Sequence, residues 1–341
     1  MRVGINGIGR IGSHVLKILS KNKNFQVTTI NDINSDIRNI AYILKYDSLY
    51  GRFDGDIEII SDNKILLNGQ EIKVYCESKI EDVDWGDTDY VVDASGIARN
   101  AKSAFKLSDK WGVKRTYITN SNSETEFELV IGVNEHLAEK HHKVISCSIC
   151  DTTAVAPVLK KLDHSFGIVG GSLTTVHPWL NYQNVLDGRS KYQSNPKQTY
   201  HNYALGRSSS NNIIPKWTTA LSATNRVLNG IEDKLLVFSY RTPHSIVGSA
   251  DLTINLKTET NKQEIMEIFM NLATKQKYKV FKNDTEPLVS TDFIGSPFSC
   301  HIDHRWTETM RKTLKLVLWY DNEFGYASRV VDQMCLYGDL D

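Results

Sequence analysis

One stretch limits what this chain can fold into more than any other: Gly7-Ile8-Gly9-Arg10-Ile11-Gly12. A short apolar run, residues 2–6, precedes it and reads as a strand. A helical pattern follows, with Ile11, Val15, Ile18 and Leu19 on one side. A second strand-like run, Phe25 to Asn31, ends at Asp32, twenty residues past Gly12. Strand, glycine turn, helix, strand and acid make a βαβ unit built to hold a dinucleotide. The glycines let a pyrophosphate approach the backbone, and the helix start takes its negative charge. Asp32 suits a ribose hydroxyl and repels a 2′-phosphate, which favours NAD over NADP.

The same pattern continues to about residue 150. Ile37, Ile40, Ala41 and Leu44 have helical spacing, and Ile57 to Tyr75 reads as a meander with turns at Asp62-Asn63 and Asn68-Gly69. Strands are expected at Tyr90–Asp93, Arg115–Thr119 and Leu129–Val133, with a helix from Asn100 to Trp111. Residues 1–150 therefore read as one doubly wound α/β sheet. Ligands of such sheets bind at the carboxyl ends of the strands, where Ser95, Gly96, Thr119 and Cys150 fall. A single crevice is expected to hold both cofactor and nucleophile.

Residues 151–318 look different. Long β-rich runs dominate (Leu173–His177, Leu235–Arg241, Ile246–Leu256, Leu314–Trp319), with one amphipathic helix from Lys262 to Lys275. That pattern predicts an α+β domain with a mostly antiparallel sheet. Asn181 to Asn212 is polar and irregular, of a length that belongs to functional loops or to disordered segments.

Chemistry concentrates at Cys150 and His177. Val144-Ile145-Ser146 reads as a strand, and Val155, Val158, Leu159 and Leu162 place a helix directly after it. Cys150 then stands at a helix start, where unpaired N–H groups and the dipole stabilise a thiolate. His177 ends a strand and can serve as the base for that thiol.

Composition narrows the partners. Lys+Arg and Asp+Glu number 40 each, so nothing points to nucleic acid or an anionic membrane. No apolar run reaches membrane-spanning length and no signal-peptide pattern opens the chain. Five cysteines, odd in number and scattered, suit free thiols in a reducing cytoplasm. Cys147 and Cys150 form a Cys-x-x-Cys, which leaves a redox-switched NAD-binding protein as a reading of another class. No second cysteine pair has metal-ligand spacing, so no metal is expected.

Several further stretches carry a resemblance. They are Gly4 to Gly12, Leu44-Lys45-Tyr46-Asp47-Ser48 with Gly51-Arg52-Phe53, Thr174-Thr175-Val176-His177, Asn212-Ile213-Ile214-Pro215, Asp251-Leu252-Thr253, and Trp319 to Tyr326. With the interval from Cys150 to His177, they make the chain similar, nearly end to end, to the glyceraldehyde-3-phosphate dehydrogenase family. The resemblance implies a Rossmann NAD-binding domain and a catalytic domain, with a last helix (327–341) packed back on the first. It implies a Cys150 thiohemiacetal and then a thioester, with His177 as the base. Gly7, Gly9, Arg10, Ile11, Gly12, Asp32, Ser95, Gly96, Thr119, Asn322 and Tyr326 would serve the cofactor. Arg241, Arg207 and Thr218 would serve substrate anions. The family also implies a small aldehyde substrate and a homotetramer.

The chain departs from the family where anions bind. Ile149 and Asp151 replace hydroxyl residues beside the nucleophile, and Leu180 and Tyr182 stand where threonines would hold the substrate phosphate. Thr219 stands where the family has glycine. Asp151 either faces the site, opposing both phosphate and thiolate, or points away as an ordinary helix-start acid. Two readings follow: a divergent enzyme for another sugar-derived aldehyde, with water or another nucleophile finishing the thioester, or a phosphorylating enzyme with rebuilt anion sites.

Overall fold

The computed structural model describes residues 1–34, 36–190 and 202–341. Part of the irregular Asn181–Asn212 stretch, residues 191–201, lies outside them. The chain divides into two units, Met1–Ile149 with Tyr326–Asp341, and Cys150–Gly325. No helix among the described residues is long and apolar enough to cross a membrane.

The first unit is built on a nine-stranded sheet. Its order is Phe127–Glu128, Val144–Ser146, Arg115–Ile118, Tyr90–Asp93, Arg2–Asn6, Gln26–Asn31, Gln70–Tyr75, Lys64–Leu67, Ile57–Ser61. The seven strands from Phe127–Glu128 to Gln70–Tyr75 run parallel, and the meander closes the edge antiparallel. Arg2–Asn6 lies between Gln26–Asn31 and Tyr90–Asp93, so the strand order reverses there and the glycine turn opens at the switch point. Val3, Ile5, Val27, Ile30, Val91 and Val92 are wholly buried, as a parallel sheet covered on both faces requires.

One expected strand is absent. Leu129–Val133 is as apolar as a strand and equally buried, but it forms a turn. Its backbone is satisfied largely by side chains and a turn. Asn134 Oδ1 accepts from the Val130 N–H, Glu135 accepts from the Gly132 N–H, and Gln333 Nε2 donates to the Leu129 carbonyl, while the Leu129 N–H donates to Ser146 and the Val133 N–H to Val130. The apolar pattern alone therefore misread this run, because side-chain partners replaced most of a ladder.

The second unit carries an eight-stranded, mostly antiparallel sheet. Its spine is Leu235–Thr242, Ile168–Pro178, Gly248–Leu256 and Thr313–Tyr320. The first two of these pair in parallel with His177 opposite Arg241. Period-two alternation buries Leu173, Thr175 and His177 on one strand, and Leu314, Leu316, Leu318 and Tyr320 on another. The helix Cys150–Phe166 packs on the sheet through Val155, Val158, Leu159 and Leu162, all buried. The start of that helix and the ends of these strands thus meet around Cys150. Elements not expected from the sequence include the helix Ala220–Val227 and the strands Ile214–Lys216, Phe281–Asp284, Cys300–Asp303 and Glu308–Met310.

Candidate active site

In the first unit the glycine turn is a tight cradle. Gly7 has φ +91°, and a Cβ there would meet the Ser95 backbone at 2.8 Å. A Cβ on Gly12 would meet the Gly7 carbonyl oxygen at 1.9 Å. Only glycine fits either position. Beside Gly9, by contrast, a Cβ would meet nothing, and no side chain caps the helix Arg10–Leu19 at Gly9. An open helix start beside a close-packed turn is what a pyrophosphate needs.

Asp32 is anchored by the Ile8 N–H at 2.7 Å and the Asn34 N–H at 2.9 Å. A carboxylate has acceptor positions to spare, so ribose hydroxyls can still bind it. Arg10 points its guanidinium at Asp47 (2.7 Å), which leaves its backbone, next to Ile11 at the helix start, as the part that faces a phosphate. Ser95 donates to Asp93 Oδ1 at 2.7 Å, Gly96 has φ +72°, and Thr119 donates to the Asp93 carbonyl at 3.0 Å. Tyr326 donates to the carbonyl of Ser148, a residue held at φ +59°. This donor set fits NAD.

Asp93 is the residue sequence reasoning missed. It is fully buried, and its Oδ1 accepts from Asn6 Nδ2 at 2.7 Å as well as from Ser95. Asn6 in turn accepts from Asn31 at 2.7 Å. Burial raises the Asp93 carboxyl above the usual carboxylate range. The chain of polar groups ties together the ends of the three strands that flank the glycine turn. The signal was available: Asn6, Asn31 and Asp93 are polar residues ending apolar strands.

The second unit holds the reactive pair. Cys150 Sγ stands 3.6 Å from His177 Nε2. His177 Nδ1 faces the Pro178 carbonyl oxygen at 2.9 Å, so Nδ1 carries the proton and Nε2 offers a lone pair to the thiol. Burial and the Arg241 charge hold the imidazole down at about 4, against the opposing pull of Asp151.

Asp151 does not point away. It is buried, and its Oδ1 accepts from the Tyr320 hydroxyl at 2.7 Å, with Cys150 Sγ at 3.6 Å and His177 Nε2 at 3.8 Å. This setting opposes the lowering of the Cys150 thiol expected from the helix start. Burial, seconded by the Asp151 carboxylate, pushes the Cys150 thiol well above its ordinary range, while Arg241 and the Asp151 N–H pull the other way. The helix-start effect is present but loses to desolvation. Cys150 Sγ thus lies between the lone-pair nitrogen of His177 and the Asp151 carboxylate, with desolvation the largest influence raising its thiol pKa. Cys150, Asp151 and His177 offer ligand atoms within 4.8 Å of one another, the one such set found among the described residues that could take a cation.

Arg241 is buried beside His177, and its guanidinium donates to the Tyr182 hydroxyl at 3.3 and 3.4 Å. The Tyr182 hydroxyl thus already engages the Arg241 cation. Lys216 was not anticipated. Its ammonium is brought down to about 8 by burial and the Arg241 charge, with Asp151 opposing. Thr218 precedes the helix Ala220–Val227, and its hydroxyl accepts from the Ala220 N–H at 3.1 Å. Arg207 departs from the expectation: it is exposed and donates to Asp187 at 2.8 Å. Asn322 Oδ1 accepts from the Val247 N–H at 3.0 Å, which fixes the orientation of its amide. Cys147 and Cys150 are both free, and Cys147 is buried with its thiol pushed far up by desolvation. A reversible dithiol has no support in that setting.

The family profile "Glyceraldehyde 3-phosphate dehydrogenase, NAD binding domain" matches residues 1–101, and the profile of the C-terminal domain matches residues 149–322. Glyceraldehyde-3-phosphate dehydrogenase of Thermotoga maritima is 37% identical, over 98% of this chain and 98% of that protein. Glyceraldehyde-3-phosphate dehydrogenase 1 of Mucor circinelloides f. lusitanicus is 35% identical, over 97% of this chain and 96% of its own length. The Geobacillus stearothermophilus enzyme of that name is 35% identical, over 97% and 96%.

Proposed function

The chain belongs to the glyceraldehyde-3-phosphate dehydrogenase family, and from that premise we propose that it oxidises a small anionic, sugar-derived aldehyde through a thioester on Cys150. It is an oxidoreductase of that type, and NAD is its cofactor. The observation that carries the proposal is the 3.6 Å approach of Cys150 Sγ to the lone-pair nitrogen of His177.

The residues divide the work. Cys150 attacks the aldehyde carbon while His177 Nε2 takes the thiol proton. The imidazolium so formed is stabilised by Asp151, 3.8 Å away. His177 returns the proton to the alkoxide oxygen, which completes the thiohemiacetal, and removes it again as the carbonyl re-forms. NAD, when bound, accepts the hydride that leaves that carbon. Gly7, Gly9, Gly12 and the amides of Arg10 and Ile11 would hold the pyrophosphate, Asp32 the ribose, and Asn322 the nicotinamide amide. Ser95, Gly96 and Thr119 would line the cofactor's path, and Tyr326 would steady the segment leading to Cys150. Arg241 and Lys216 supply the positive charge for an anionic substrate group.

The test is NAD reduction by glyceraldehyde 3-phosphate and by unphosphorylated glyceraldehyde, in wild type and Cys150→Ser. A preference for the phosphorylated aldehyde, abolished in Cys150→Ser, is expected. Equal use of both aldehydes would remove the anionic substrate, and turnover in Cys150→Ser would remove the covalent mechanism. A phosphorylating glyceraldehyde-3-phosphate dehydrogenase is the second reading, favoured by Arg241 and by the names of the relatives. It requires turnover that depends on inorganic phosphate. Residence in the cytoplasm and assembly into a homo-oligomer complete the proposal, to be checked by cell fractionation and by light scattering.

A further inference from the structure

Asp151 is the residue beside the nucleophile that the family pattern does not supply, and its place is built. Tyr320 ends the strand Thr313–Tyr320, is buried, and donates its hydroxyl to Asp151 at 2.7 Å. Its ring lies over Gly248, where a Cβ would meet ring carbons at 2.5 and 2.6 Å. The sheet therefore keeps a gap that lets Tyr320 reach the carboxylate. The contacts of Asp151 with Tyr320, Cys150 and His177 all fall on Oδ1. A carboxylate has about four acceptor positions, so a water can bind it as well. In this buried setting the same charge repels the oxyanions of an incoming phosphate.

We propose that Asp151 is the general base that directs water onto the Cys150 thioester, so that the enzyme releases a carboxylic acid instead of an acyl phosphate. The inference rests on the thioester chemistry proposed above. Asp151 takes one proton from water as the oxygen bonds to the thioester carbon. The tetrahedral intermediate collapses, the C–S bond breaks, and the leaving sulfur recovers that proton from Asp151. Over the whole cycle an aldehyde, NAD and water give a carboxylic acid, NADH and one proton. No other oxidant or acceptor is required.

The test uses p-nitrophenyl acetate, which acylates a reactive cysteine whatever the natural aldehyde is. Nitrophenolate release in a burst reports acylation of Cys150, and the later steady rate reports deacylation. For wild type we expect a steady rate unmoved by inorganic phosphate, and acetate carrying one ¹⁸O when the water is labelled. For Asp151→Asn, which keeps an acceptor for Tyr320, we expect a detectable burst followed by deacylation at least about 100-fold slower. Tyr320→Phe should slow deacylation about 10-fold by loosening the base. Acceleration of wild type by phosphate, with acetyl phosphate as product, would overturn the assignment, as would unchanged deacylation in Asp151→Asn. The wild-type arms need no variant to fold. Nitrophenolate release at the same rate in Cys150→Ser would instead remove Cys150 as the nucleophile, and the hydrolytic step with it.

Discussion

At the scale of single residues, the site turns on which charge wins around Cys150. The N–H groups of a helix start favour a thiolate, but a buried carboxylate one residue on opposes it, and desolvation exceeds both. Alkylation of Cys150 by iodoacetamide should accordingly be slow at neutral pH and still rise above pH 9. In Asp151→Asn the profile should move to lower pH, with alkylation at pH 7 about 10-fold faster. An unchanged profile would mean that Asp151 does not act on the thiol. Lys216 gives a second prediction. Its ammonium titrates at about 8, so it is charged below that pH and neutral above it. The KM for an anionic aldehyde should rise as pH passes 8, and Lys216→Met should start high and lose that dependence. A KM with the same pH profile in both proteins would take Lys216 out of substrate binding. Lys216 was not legible in the sequence, and the inward turn of Asp151 was one of two readings it left open. Both depend on which way a side chain faces at an element's end, and spacing leaves that open.

At the scale of elements, periodicity carried most of the fold because the sheets are conventional. The βαβ unit around Gly7 to Gly12, the meander and the helix Lys262–Lys275 follow from spacing and turn residues alone. Leu129–Val133 did not, since only the Leu129 N–H reaches a neighbouring strand, at the Ser146 carbonyl, while Val130, Gly132 and the Leu129 carbonyl bond to the side chains of Asn134, Glu135 and Gln333. The helix Ala220–Val227 escaped because it is only 8 residues long and buries just Ala220, Ala223 and Thr224, too short and too small in side chain to stand out as an apolar run. The Asn6, Asn31 and Asp93 linkage belongs to this scale too, because it joins three strand ends beneath the glycine turn. Asn6→Ala leaves buried partners without a bond. It should destabilise the protein by about 1–3 kcal/mol in urea titration and weaken NAD binding several-fold by calorimetry. Unaltered affinity would show that the turn holds its shape without this support.

At the scale of the whole molecule, the family, the two kinds of sheet and the cofactor were legible, because glycine spacing and strand alternation are properties of sequence. What the sequence left open was the fate of the acyl group, which depends on a few ångströms around Asp151. The central claim is that Cys150 carries the substrate covalently during oxidation. The most direct measurement is rapid-quench peptide mass spectrometry of the phosphate-free enzyme mixed with NAD and glyceraldehyde 3-phosphate, in wild type and Asp151→Asn. The account predicts an acyl adduct on the Cys150 peptide, formed with one NADH per site and longer-lived in Asp151→Asn. NADH formed without that adduct, or an adduct on another residue, would contradict it.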